Sequence, residues 1–160
     1  MSQTTINTTD SPETGRVAIN ANFTEIYAGA GGKSLISFGG VVAPSLTNYI
    51  PPFSPPNSTA RTNEYEAQIG VGSGVIKNLR VWICANAGIT SYVVTVRKNG
   101  VDTTLTVSCT TNATTGTLYS DTTNSFTVAS GDKISVKVVT GTNGGFTSAF
   151  VNYTMEFIGS

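Results

Sequence analysis

The chain is 160 residues long, with nine basic and nine acidic residues and no histidine. Charged residues make up 11% of it, less than half the share in an average globular domain, so Thr, Ser, Asn and Gly must cover the surface. Nothing in this balance suggests electrostatic capture of nucleic acid, which usually needs a basic face, and the missing imidazole removes the commonest general base and metal ligand.

No run reaches the roughly 18 apolar residues of a membrane-spanning helix, so no membrane insertion is expected. Met1-Ser2-Gln3-Thr4-Thr5 carries neither a basic nor an apolar region, which reads against a secretory signal and for first folding in a cytoplasm. Cys84 and Cys109 are too few for a disulfide framework, and reduced thiols are expected.

In chain order, residues 1 to about 12 are polar and predicted to be an extended arm. Ser11-Pro12-Glu13 has the chemistry of a helix start, with a capping hydroxyl, a proline at the first helical position and an acid in the first turn. From Arg16 to Tyr27 the residues Ile19, Phe23 and Ile26 recur at spacings of four and three, which puts them on one helical face. So short a helix is marginal alone in water, and its apolar stripe needs a cover. Gly29, Gly31 and Gly32 end it. Residues 1–32 are therefore read as an attachment and oligomerisation arm, with Ile19, Phe23, Ile26 and Tyr27 as its docking residues. Residues 33–160 are read as a separate head domain.

After Lys33 the period becomes extended. Ser34 to Val42 is a predicted strand with a bulge at Gly39-Gly40. Pro44 to Thr62 is a long proline-rich connection, a kind of loop that is often functional or interfacial. Asn63 to Val71 is a predicted short strand. Alternation then becomes regular: Leu79, Val81 and Ile83, then Tyr92, Val94 and Val96, each take every second position. Asn99-Gly100 is a strong hairpin-turn signal ahead of a strand from Val101 to Cys109. Thr111 to Thr123 is predicted as a loop, Ser125 to Ala129 as a short strand, and Ser130-Gly131-Asp132 as a turn. Strands follow over Lys133–Thr140 and Phe146–Ile158. Closely spaced strands with frequent turn chemistry and no helical crossovers indicate a mainly β fold, an antiparallel jelly-roll-like sandwich preceded by one short helix and an arm.

Few residues carry chemistry. Glu64 and Glu66 would share a face on a strand, and a carboxylate pair is the equipment of a glycosidase; solvated edge acids are the plainer reading. Without histidine no ordinary serine triad forms. Gly70-Val71-Gly72-Ser73-Gly74 lacks the lysine of a phosphate loop, and Asp102, Asp121 and Asp132 lack calcium-loop spacing. No enzyme activity, cofactor or metal is expected. Tyr49, Phe53, Tyr65 and Tyr119 are expected in or near loops, where amphipathic aromatics serve glycan or protein recognition. Trp82 falls on the outer face of its strand with Arg80 and Cys84, a face to meet another subunit or a sugar.

Ile19-Asn20-Ala21-Asn22-Phe23-Thr24-Glu25-Ile26-Tyr27, with Thr5-Ile6-Asn7-Thr8 ahead of it, resembles the short helical motif near the N-terminus of tailed-bacteriophage fibre and virion-appendage proteins. Val94 to Asp102 and Ser130 to Lys137 resemble the β-sandwich heads of phage fibres and decoration proteins. The resemblance implies a non-enzymatic homotrimer in the virion. Its N-terminal region would attach to a capsid or tail protein, and its outward heads would be available to a host-surface glycan. The short chain points to a head fibre or decoration knob. A tail-fibre or tailspike tip that binds a carbohydrate receptor is the alternative.

Overall fold

A computed structural model describes residues 32–54, 58–85, 89–110, 116–142 and 149–160. The predicted helix, with Ile19, Phe23, Ile26 and Tyr27, lies outside these residues. The described strands are β1 (Lys33–Val42), β2 (Thr47–Tyr49), β3 (Ile69–Gly70), β4 (Gly74–Ala85), β5 (Ser91–Lys98), β6 (Val101–Thr110), β7 (Leu118–Val128), β8 (Lys133–Thr140) and β9 (Ala149–Gly159). They form two antiparallel sheets. One has the order β1-β9-β4-β7 and the other β2-β8-β5-β6, with β3 also on β8.

The chain is mainly β, and its topology is that of a jelly-roll-like sandwich. From β4 onward, successive strands cross from sheet to sheet except at β5–β6, where the Asn99-Gly100 turn keeps both strands in one sheet. Both turn residues have positive φ, 50° and 81°, the geometry that matches strand twist and that Asn-Gly supplies at least cost. Alternation places Val81, Ile83, Val94, Val96, Val136 and Val151 in the shared core, all buried. Each such side chain contributes about 1.5–3 kcal/mol relative to exposure. Phe38 and Tyr153 stack within this core, ring centroids 5.1 Å apart.

Three local expectations are corrected. The bulge is not at Gly39-Gly40: β1 pairs with β9 without a break from Lys33↔Ile158 to Val42↔Ala149. Gly40 instead marks a close approach, because a Cβ there would lie 2.9 Å from Ile50 Cγ2 and 3.2 Å from the Ser58 carbonyl oxygen. A bulge lies instead at Asn78, where φ is 55° and the β4 registers shift. That extra residue lets both Ile76 and Leu79 face the core, although they are three apart, and Asn78 Nδ2 donates to Glu156 Oε2 at 2.8 Å.

The predicted strand over Asn63–Val71 is instead a 3-10 turn at Glu64–Ala67 followed by the two residues of β3. The predicted loop to Thr123 is also too long, since β7 begins at Leu118. Its polar middle is held by Asp121, which accepts hydrogen bonds from the Thr123 and Asn124 amides and, on the neighbouring edge, from the Thr106 amide.

The proline-rich connection has a definite task. The Phe53 amide donates to the Ser37 carbonyl (2.9 Å), the Val41 amide to the Ser58 carbonyl (2.8 Å), and the Ala60 amide to the Val41 carbonyl (3.0 Å). It therefore straps the otherwise open edge of β1, one of the ways natural sheets block strand-to-strand association.

Candidate functional site

The two-residue turn at 99–100 sets the local register, so Arg97 lies opposite Asp102 and Lys98 opposite Val101. Arg97 points outward from the β2-β8-β5-β6 sheet and organises an ionic cluster. Its NH1 group donates to Tyr49 Oη at 3.2 Å and to Glu64 Oε2, its NH2 group to the Gly100 carbonyl, and its Nε forms an ion pair with Asp102 Oδ1 at 2.7 Å. The guanidinium carbon sits 5.8 Å from the centre of the Tyr49 ring, within cation–π range. Ser135 Oγ donates to Glu64 Oε1, and Lys137 Nζ bonds Asp102 Oδ2. Arg97 and Glu64 side chains are only 15% and 17% exposed, so this is a half-desolvated network and not a set of solvated surface pairs. The Lys137 hydrogen bond, helped by both nearby cations, holds the Asp102 carboxyl below the ordinary range.

This arrangement disposes of the acid pair. Glu64 is committed to Arg97 and Ser135, whereas Glu66 turns to Arg61, 3.6 Å away. On a 3-10 turn two residues two apart do not share a face, so the pairing expected on a strand does not form. No group of three or more Cys, Asp or Glu among the described residues suits a metal. Both cysteines are free thiols, Cys109 in the core with its pKa pushed by burial to about 11.

The four aromatic candidates are scattered. Tyr49 is half-buried on β2 beneath Arg97. Phe53 is exposed at a positive-φ position beside β1. Tyr65 is exposed on the 3-10 turn and lines a small cavity of about 230 Å³ with Gln68, Gly131 and Lys133. Tyr119 is not in a loop: it lies on β7 opposite Val81 and packs against the core. The structure brings no single aromatic platform together from these four.

Two features were not singled out from sequence. One is the ionic cluster, although its Arg97–Asp102 pair follows from counting back across the Asn-Gly turn. The other is the setting of Trp82. On the outer face of the β1-β9-β4-β7 sheet, Gly39, Asn152, Trp82 and Leu118 form one cross-strand row, and Ser37, Thr154, Arg80 and Ser120 the next. Trp82 and Leu118 are 44% and 51% exposed. They flank a shallow depression of about 110 Å³ with Arg80, Asn152 and Thr154. Asn152 Oδ1 is buried there without a hydrogen-bond partner among the described residues. The outward placement of Trp82 agrees with the alternation, while Leu118 and Asn152 become its neighbours only through the sheet order.

No family model matches the chain, and no curated protein does either. Among solved structures, the chain is similar to murine APRIL in a crystal structure at pH 8.5, with 14% identity over 76% of this chain and 98% of that one and a TM-score of 0.37.

Proposed function

We propose that this chain is a non-enzymatic structural protein of a bacteriophage virion. In this reading it is a homotrimeric head fibre or decoration knob, held to the particle by residues 1–32 and presenting residues 33–160 outward. The N-terminal motif at Ile19–Tyr27 supports the virion context. The observation that carries the assembly half is the Trp82 face. An exposed tryptophan and leucine in adjoining strands, beside a buried amide oxygen lacking a donor among the described residues, make a surface suited to a second copy of the chain. Interface cores favour such aromatic anchors with few charges. On the opposite sheet Arg97, Glu64, Asp102 and Lys137 are already paired within the chain.

Mass measurement in solution tests the assembly. The full chain is expected at three times its 16.6 kDa, and Trp82→Ser is expected to shift it towards monomer with the fold intact. A wild-type monomer at micromolar concentration argues against this reading. Mass spectrometry of purified particles, followed by imaging with a label on this chain, tests location. A label on the capsid supports the knob, whereas a label on the tail tip supports the receptor-binding alternative.

A further inference from the structure

The two sheets part at one corner of the sandwich. β6 and β7 are edge strands of opposite sheets, and the Thr106 amide, donating to Asp121 Oδ2 at 3.1 Å, stitches them together. Beyond that stitch the edges splay. A groove of about 610 Å³ opens between Asp102–Thr104 of β6 and Ser125–Thr127 of β7, with Lys98 and Val75 completing it. A second hollow of about 380 Å³ continues it past Lys98 and Asp102 to Val101. Volumes of this size are those of ligand sites.

The lining is specific in its chemistry. Thr104, Ser125 and Thr127 are exposed hydroxyl residues. Phe126 offers a half-buried aromatic side chain fixed against the core. Asp102 is a fixed acceptor whose charge is met by Arg97 and Lys137. Lys98 is a fixed donor whose charge is met by Asp132 at 3.0 Å, with a further hydrogen bond to the Thr127 carbonyl at 3.1 Å. A carboxylate has about four lone-pair sites and an ammonium three donors, so each retains capacity after these contacts. With every charge compensated inside the protein, nothing here draws an ionic ligand. An anchored acceptor and donor, hydroxyls along both walls and one apolar ring are the complement of a polyhydroxylated, uncharged molecule.

We infer that the groove between the splayed edges of β6 and β7 is a binding site for a neutral oligosaccharide. Ring C–H faces lie against Phe126, and sugar hydroxyls bond Asp102 and Lys98. This deepens the adsorption side of the proposed function and does not depend on where the protein sits on a particle. The open strand edges also suit an extended peptide, but the compensated charges and hydroxyl lining favour the saccharide.

The test is the purified full chain on an array of neutral and acidic oligosaccharides, followed by calorimetric titration of the best neutral hit. Ser125→Arg and Thr104→Arg place long cationic side chains on the two strands that line the groove, at exposed positions outside the core. Each is expected to weaken binding at least tenfold with an unchanged melting temperature, while Tyr65→Ala leaves it unaltered. Binding that survives both arginine variants, binding of acidic glycans alone, capture of extended peptides in place of saccharides, or no array signal at millimolar sugar would each overturn the assignment. Array binding by a protein missing from purified virions leaves the groove standing and removes the virion reading. Absence of array binding by a protein found in the virion does the reverse.

Discussion

The outer faces of the two sheets solve the same problem in opposite ways. On the β2-β8-β5-β6 face, Arg97, Glu64, Asp102 and Lys137 neutralise one another, tie the 3-10 turn to β5 and β8, and shield part of the sheet. On the β1-β9-β4-β7 face, Trp82 and Leu118 stand exposed, with Arg80 the charge beside them. On one face the charges are satisfied within the chain, and the cross-strand pair Val93 and Val139 is only partly exposed; the other, with its tryptophan and leucine, has the composition of a surface to be covered. A low overall charge makes this contrast easy to see, because the few charges are concentrated where they satisfy one another.

The contrast is open to direct attack. The largest loss of monomer stability is expected from Arg97→Leu. It leaves the poorly exposed Glu64 carboxylate without its cation, and breaking such a pair costs about 2–3 kcal/mol after allowance for partial exposure, read as a lower midpoint in urea. Gly40→Ala is expected to cost about 1–2 kcal/mol by overpacking Ile50 and the strap backbone. If it is neutral in thermal unfolding, the strap yields more readily than its contacts imply. Tyr153→Phe removes a buried hydroxyl that lacks a partner among the described residues, so a gain of up to about 1 kcal/mol is expected.

Trp82→Ser is expected to lower monomer stability less than Arg97→Leu does, while shifting the assembly towards monomer. A large loss of monomer stability there would mean that the Trp82 face is finished internally after all.

Acid sharpens the same comparison. The Asp102 carboxyl is held down first by the Lys137 hydrogen bond. At Asp121, burial pushes up, but hydrogen bonds from Asn124, Thr106 and Thr123 together outweigh it. Asp132, fixed by the Ala129 amide, Asn99 and Lys98, is lowered from 3.8 to about 2. Folded values below unfolded ones mean that the unfolded chain binds protons first. Stability is therefore full above the ordinary carboxylate range and falls as pH drops from 3.8 towards 2. A urea midpoint that stays flat across that window contradicts these carboxylate contacts.

Much of the sandwich was legible because its central strands alternate strictly and its hairpin carries Asn-Gly. The parts missed share a cause: their structure is set by polar side chains serving the backbone, and hydrophobic period does not record that. The first half of β7, Leu-Tyr-Ser-Asp-Thr-Thr-Asn, reads as loop until Asp121 is seen accepting the amides of Thr106, Thr123 and Asn124. Asn78 reads as one more outward residue until its positive φ shifts the register. The groove could not be found by motif, since its two walls are about twenty residues apart and meet only as edges of different sheets.

The pairing of β1 with β9 bears on how the protein is made. Lys33 must find Ile158, 125 residues later. At the usual pace of bacterial and eukaryotic ribosomes, about 5–20 residues per second, β1 waits roughly 6–25 s for its partner to be synthesised. Throughout that interval Ile36 and Phe38, buried only in the finished fold, are available to other nascent chains. The strap emerges next, and in the finished fold Phe53, Ser58 and Ala60 bond the opposite edge of β1 at Ser37 and Val41. Pairing there blocks one edge of the strand that has longest to wait, so shortening the strap is expected to lower soluble yield more than it lowers the stability of the molecules that do fold.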